Sequence, residues 1–302
     1  MRLACIGIGS NAIRLLTADW HAGRLCVVRR ERRGTRLFAG LVDGALTEES
    51  IRSSVEAVGQ LALLARADGA AEVFVFATSA VRDARNAEAF TALAEAASGA
   101  RVEIVSGEEE AILSFFGASE GGSCGVIDIG GGSTEVIVGS GMNVRCGFSC
   151  QMGAVRLATR LPIRDHGDLP AVQHLAADIL EEALRRHPAL SLPAAWRGTG
   201  GTFTTLAAIM KGICWTDRTY MHGTVLTKDF IHRIARDLAD MPVEERKLLP
   251  GLQPNRADII VHGICILIAC MDRLGIEEIT VSEYGNLDGY VKWKYLNDGG
   301  KA

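Results

Sequence analysis

The sequence predicts an α/β protein made of two related halves, each a mixed sheet flanked by helices. Three observations carry this. The chain has 302 residues, more than one core of ordinary size accommodates, so two domains are expected. Short apolar runs alternate with amphipathic ones through the first 116 residues, the order of layered α/β units with a partly parallel sheet. Finally, Cys5–Leu15 overlays Val126–Val136 at an offset of 121 residues. Each copy is an apolar strand, a tight turn of small residues and a returning apolar strand, so a β-hairpin opens each half.

In order, residues 3–8, 13–18 and 25–29 read as strands, with His21-Ala22-Gly23 as a turn. Thr47 followed by Glu48 and Glu49 starts a helix whose apolar spacing runs to about Leu64. A short buried strand over 73–77, a helix over 86–97 and a strand over 102–105 follow, and Ser106 caps a helix over 107–116. The polar break Glu120-Gly121-Gly122-Ser123 divides a first domain, 1–120, from a second, 121–302. Beyond it come strands at 124–129, 134–138 and 142–149, helical sequence over 151–187, and a glycine loop at 198–201 leading into a helix. The remainder reads as helical except for a strand at 278–281.

Composition narrows the function classes. Hydrophobic residues make up 48% and charged residues 23%, a globular balance. With 32 basic and 36 acidic residues the formal charge is −4, which argues against a nucleic-acid partner. Eight of the arginines lie in residues 1–36, beside only Asp19 and Glu31, so an anion-binding surface is expected there. The eight cysteines form no CxxC pair and read as small buried hydrophobes of a reducing compartment. The most apolar run, 263–271, falls far short of a membrane span, so the chain is expected to be cytoplasmic.

Three glycine loops carry the chemistry. Gly9-Ser10-Asn11 and Gly130-Gly131-Gly132-Ser133 are hairpin turns, and successive backbone N–H groups in such turns form anion nests. Gly198-Thr199-Gly200-Gly201-Thr202 precedes a helix, whose N-terminus adds partial positive charge. Together the loops suit a polyanion held at several phosphates, with Gly200 and Thr202 contributing to the third. Asp128 ends a strand beside the second loop and Glu135 lies in the returning strand; such carboxylates can hold Mg2+ near phosphates. Of Glu108, Glu109 and Glu110, one facing the ligand could take a proton from water attacking phosphorus. Arg82 follows a buried strand, and Arg14, Arg33, Arg36 and Arg156 are further basic candidates. His262, among apolar residues, reads as a packing histidine.

These strings resemble the exopolyphosphatase / guanosine pentaphosphate phosphohydrolase family of the actin-like ATPase superfamily. The matching stretches are Gly9–Leu16, Ala77–Ala84, Ser106–Ala111, Val126–Glu135, Met152–Leu157 and Pro250-Gly251-Leu252 with Arg256-Ala257-Asp258, in the family's order. The resemblance implies duplicated actin-like (ribonuclease H-like) domains, each with a five-stranded mixed sheet, and an active site in the cleft between them. It implies hydrolysis of the terminal phosphate of polyphosphate or of the 5′-γ-phosphate of guanosine pentaphosphate, with Mg2+ or a similar divalent cation as cofactor. Larger members carry further C-terminal helical domains, so this chain reads as the short two-domain form, and a homodimer is the expected assembly. Glu110 aligns with the catalytic carboxylate, Asp128 and Glu135 with the metal site, and Ser10, Asn11, Arg82 and Gly130–Ser133 with phosphate binding.

The sequence departs from the family at two places. Gly7 stands where the first loop normally has an aspartate, and in the internal repeat it pairs with Asp128. Ser282-Glu283-Tyr284-Gly285 replaces a shorter Ser-Asp-Gly or Ser-Glu-Gly string. The favoured reading is a Mg-dependent exopolyphosphatase. Guanosine pentaphosphate hydrolysis is the alternative substrate, a catalytically impaired polyphosphate- or alarmone-binding regulator follows if Gly7 disables the site, and an actin-like kinase is disfavoured. Gly7 is expected to weaken metal binding.

Overall fold

The computed structural model describes residues 1–21, 24–188, 190–216 and 218–298, so residues 22 and 23 of the expected turn lie outside it. The chain divides into two units, residues 1–117 with the segment from Asn286 onward, and Ala118–Gly285.

In the first unit, strands β1 (Arg2–Ile8), β2 (Ala12–His21), β3 (Arg24–Gly34), β4 (Glu72–Ala77) and β5 (Val102–Ile104) form a sheet in the order β3-β2-β1-β4-β5. The β1/β2 and β2/β3 pairs are antiparallel, whereas β4 pairs parallel to β1 and to β5. β1 is buried along nearly its whole length, which accounts for its unbroken apolar run. β3 extends past the expected 25–29 because it pairs along the length of β2.

The helices are α1 (Glu48–Ala67), α2 (Ser79–Arg82), α3 (Ala87–Ser98) and α4 (Gly107–Ala118). Thr47 caps α1 by accepting from Ser50 N–H at 3.3 Å. α4 begins with a reciprocal capping box: Glu109 N–H donates to Ser106 Oγ at 3.1 Å, and Ser106 N–H to Glu109 Oε2 at 2.7 Å.

In the second unit, β6 (Ser123–Ile129), β7 (Thr134–Ser140), β8 (Asn143–Cys150), β9 (Trp196–Gly200), β10 (Val225–Thr227) and β11 (Glu278–Val281) form a sheet ordered β8-β7-β6-β9-β11-β10. Its first five positions repeat the order and the strand directions of the first sheet. The sixth strand, β10, is antiparallel to β11 and departs from the expected five; three residues are too few for a sequence pattern. The longer helices are α5 (Ala154–Arg160), α6 (Leu169–Arg186), α7 (Gly201–Lys211), α8 (Lys228–Asp240) and α9 (Ile260–Leu274). The expected helical stretch over 151–187 is broken between α5 and α6, and Pro170 takes up the first turn of α6.

The duplication extends to the register. Gly7 pairs with Arg14 in the first hairpin, and Asp128 with Glu135 in the second, the same positions at the offset of 121. The turns match as well: Gly9 N–H donates to Ala12 C=O at 3.2 Å, and Gly130 N–H to Ser133 C=O at 3.0 Å.

The chain's last helix corrects the expected domain limits. α10 (Asn286–Asp298) packs on β1 and β2 of the first unit rather than completing a second domain of 121–302. Leu287, Tyr290, Val291 and Tyr295 join Leu3, Cys5, Leu16 and Phe76 in one core. Each such buried side chain contributes about 1.5–3 kcal/mol. Tyr290 stacks on Phe76 at 5.1 Å, Tyr295 on Trp20 at 5.4 Å, and Lys294 Nζ lies 4.8 Å from the Phe74 ring. Lys292 Nζ donates to the Phe116 and Gly117 carbonyls at 3.1 and 3.3 Å, capping the end of α4.

Gly289 allows α10 to touch α4, because a methyl group there would overlap the Leu113 carbonyl. Gly289→Ala is therefore expected to cost about 1–3 kcal/mol. Thermal denaturation checks this: the melting temperature should fall by several degrees, and an unchanged value contradicts the packing argument.

Candidate functional site

The two hairpins and the third loop are built differently, and each uses its glycines for a distinct reason. In the first unit the turn carbonyls are occupied: Ser10 C=O accepts from Phe38 N–H at 2.9 Å and Asn11 C=O from Arg36 N–H at 3.1 Å. Ser10 Oγ lies 2.9 Å from Ser79 Oγ, tying the hairpin to α2. Asn11 is 7% exposed, yet neither atom of its side-chain amide has a hydrogen-bond partner. A buried amide left unmatched costs about 1–3 kcal/mol, so the geometry suits a polar ligand group there.

Glu110 is 6% exposed, and its Oε2 accepts from Arg82 Nη1 at 3.2 Å. Arg82 Nη1 also donates to the Val105 carbonyl at 2.8 Å, while its Nη2 is buried without a hydrogen-bond partner. The three acids at the start of α4 thus separate by role. Glu109 closes the capping box, Glu108 is exposed, and Glu110 turns inward toward Arg82.

In the second unit the carbonyls of the triple-glycine loop face α5. Gly130 C=O accepts from Ala154 N–H at 3.0 Å, Gly131 C=O from Val155 N–H at 2.8 Å, and Gly132 C=O from Arg156 Nε at 2.5 Å. A trans peptide points its N–H opposite to its C=O, so the N–H groups of Gly131, Gly132 and Ser133 are directed away from α5. Three successive amides on one side make the nest that phosphate oxygens require. Arg156 acts here as a strut for the loop. Gly153, which the sequence reading did not single out, is also required: a methyl group there would overlap the Gly131–Gly132 peptide.

Strand pairing places Ser149, Glu135, Asp128 and Thr199 in one row on one face of the second sheet. Glu135 is 1% exposed and accepts from Ser149 Oγ at 2.7 Å. Gly200 has φ 95 and ψ 178, a conformation open to glycine alone, and a methyl group there would lie 2.8 Å from Asp128 Oδ1. Asp128 therefore sits beside the N-terminus of α7, which has no side-chain cap. The Arg256 guanidinium covers Gly201 so closely that any side chain would collide with it. Sequence reading assigns Arg256 no role at this loop, since an arginine 55 residues downstream gives no local signal.

Thr202 was expected to contribute to phosphate binding at the third loop, but its side chain is turned away from it. Its hydroxyl packs against Gly263 of α9, in the core. The Ser282–Gly285 string seats on β9: Ser282 N–H donates to Gly198 C=O at 2.8 Å, and Thr199 Oγ1 to Tyr284 C=O at 2.8 Å. His262 is a packing histidine, with Nε2 2.8 Å from the Leu161 carbonyl and its basicity lowered by burial. Burial first, then the charge of Glu135, pushes the Cys150 thiol up to about 12, so it stays protonated and is no nucleophile.

Among the described residues, no three His, Cys, Asp or Glu side chains gather as a metal cluster. Asp128 and Glu135, paired on one face, do fit a hard cation of the Mg2+ type, which accepts one or two carboxylates and completes its shell with water and phosphate oxygens. Position 7, the counterpart of Asp128, is apolar: a Cβ there would lie 2.7 Å from Leu287 Cδ1 and 3.1 Å from Phe76 Cζ. The row beside it is basic, Gly7 pairing with Arg14 and Arg14 with Arg32. Gly7→Asp would put a carboxylate among buried apolar groups, and is expected to cost about 1–3 kcal/mol through overpacking, with desolvation adding to it. The check is thermal denaturation of the two proteins, and equal melting temperatures would refute the steric reading of position 7.

The chain is similar to known proteins over nearly its whole length. Over 95% of its length the chain is 36% identical to exopolyphosphatase 2 of Mycobacterium tuberculosis, of which it covers 97%. It is 29% identical, over 91% of its length, to a guanosine-5′-triphosphate,3′-diphosphate pyrophosphatase of Pseudoalteromonas translucida, covering 56% of that protein. The crystal structure of the Aquifex aeolicus Ppx/GppA family member superimposes with a TM-score of 0.82 at 28% identity, over 99% of this chain and 98% of that one. With residues 16–295 matching the family as a whole, the chain belongs to the Ppx/GppA phosphatase family.

Proposed function

We propose that the protein hydrolyses the terminal phosphoanhydride of inorganic polyphosphate, releasing orthophosphate. The observation that carries this reading is the buried, unmatched amide of Asn11 in a hairpin tied to α2. The likeness to the mycobacterial exopolyphosphatase over nearly the whole of both chains supports it.

In the proposed mechanism the N–H groups of Gly131, Gly132 and Ser133, the amide of Asn11 and the free end of the Arg82 fork bind phosphate oxygens. The N-terminus of α7 and Arg256 add positive charge at the third loop. Asp128 and Glu135 would hold Mg2+ or a similar divalent cation, which when bound offsets the negative charge of the phosphates. Glu110 orients the attacking water and takes its proton. The water oxygen bonds to the terminal phosphorus as the bridging P–O bond breaks, so that orthophosphate and a chain shorter by one phosphate result. No covalent enzyme intermediate is required.

Glu110→Gln keeps the shape and removes the base. Turnover is expected to fall by about 10²- to 10⁴-fold, with polyphosphate affinity level or higher. Orthophosphate release and calorimetric binding measure the two effects, and near-normal turnover removes Glu110 from the role. The metal assignment has its own check. Asp128→Asn and Glu135→Gln should each raise the Mg2+ concentration needed for half-maximal rate, and chelation should abolish release; activity indifferent to chelator would refute a metal requirement.

The pyrophosphatase relative supports a second substrate, guanosine pentaphosphate, which presents a similar terminal phosphoanhydride. A side-by-side comparison of kcat/KM on the two substrates decides between them. Tight polyphosphate binding with no orthophosphate release from either would favour the impaired regulator.

A further inference from the structure

We propose that Arg82 is a positioning residue for Glu110 as well as a phosphate ligand, so that one guanidinium couples anion binding to the placement of the base. This rests on the hydrolase reading given above.

The argument starts from the fork itself. Arg82 ends α2, whose first residue touches the phosphate hairpin through Ser79 and Ser10 and whose N-cap, Thr78, donates its N–H to Ile8 C=O at 3.1 Å. Its Nη1 reaches the other way, to Val105 C=O and Glu110 Oε2. Val105 precedes the cap of α4, and Glu110 lies one turn inside that helix, so Nη1 grips the start of α4 at two points. The Glu110 side chain, only 8% exposed, is thereby held by a partner outside its own helix.

The remaining end of the fork, Nη2, is buried and makes no hydrogen bond. A charged donor in that condition is costly, and an anionic oxygen is the partner that satisfies it best. A guanidinium is planar, with donors fixed relative to one another. A phosphate oxygen drawn to Nη2 therefore also fixes Nη1, and with it the orientation of Glu110. An arginine with a merely structural role would hold α2 to α4 and influence folding, without distinguishing affinity from turnover.

The test is a double-mutant cycle of Arg82→Ala and Glu110→Gln, reading single-turnover orthophosphate release from polyphosphate and, by calorimetry, polyphosphate affinity. Arg82→Ala should weaken affinity about 10-fold in both backgrounds, the loss of one charged contact. It should slow release about 10²-fold when Glu110 is present, the effect of a misplaced base, but less than about 3-fold in Glu110→Gln, where no base remains to be placed. Arg82→Lys keeps the charge and should recover most of the affinity and little of the rate. If Arg82→Ala fails to fold, Arg82→Lys supplies the split between rate and affinity, and wild-type turnover in Arg82→Lys overturns the proposal. A rate loss from Arg82→Ala as large in Glu110→Gln as in the parent also overturns it, leaving the hydrolase reading intact. Full activity in Glu110→Gln overturns it as well, since no base is then being placed, whereas absence of orthophosphate release from the parent protein overturns the hydrolase reading.

Discussion

Antiparallel pairing around a turn of fixed length is the constraint on which the rest of this structure depends. Each hairpin closes with the same backbone bond, from Gly9 to Ala12 and from Gly130 to Ser133. At Gly9 and Gly130 a side chain would press on that acceptor carbonyl, at 3.0 and 3.1 Å. With the turn fixed, the residues seven apart face each other on one side of the sheet. Insertion of one residue would send Glu135 to the opposite face from Asp128. The turn thus does two jobs: it exposes amides, and it sets the register that pairs the carboxylates.

The two halves use this common frame for different chemistry. In the second hairpin the paired positions are two acids, beside a loop whose carbonyls are drawn toward α5. In the first they are glycine and arginine, the glycine closed over by Leu287 and Phe76. Duplication supplies two equivalent pairs of positions, and burial decides what each can hold. A carboxylate is stable at 128 because Gly200 leaves room for it, while at 7 the neighbouring atoms are hydrocarbon.

Much of this was legible in the sequence where the signal is local. The Ser106 and Thr47 caps, strand β11 and the 121-residue repeat follow from spacing alone. What was not legible depends on contacts between distant segments. Nothing in Asn286–Asp298 tells which sheet it covers, so Leu287 over Gly7 and Gly289 against Leu113 could not be foreseen. The same holds for Arg256 over Gly201. Thr202 misleads for the opposite reason: its glycine neighbours advertise a ligand loop, but the helical direction at α7 turns its hydroxyl toward Gly263. The separation of Glu109 from Glu110 lies between these cases, since the capping rule assigns one and leaves the other to the arginine it meets.

The return of α10 to the first unit also orders events during synthesis. Residues 118–285 contain every element of their own unit. The first unit, although it begins earlier, lacks α10 until the segment from Asn286 onward has been made. Until then the sheet face bearing Leu3, Cys5, Leu16 and Phe76 has no Leu287, Tyr290 or Val291 to cover it. An uncovered apolar sheet is a surface that chaperones and other nascent chains can bind. The half of the protein that carries Glu110 therefore cannot complete its core before the other half has been synthesised.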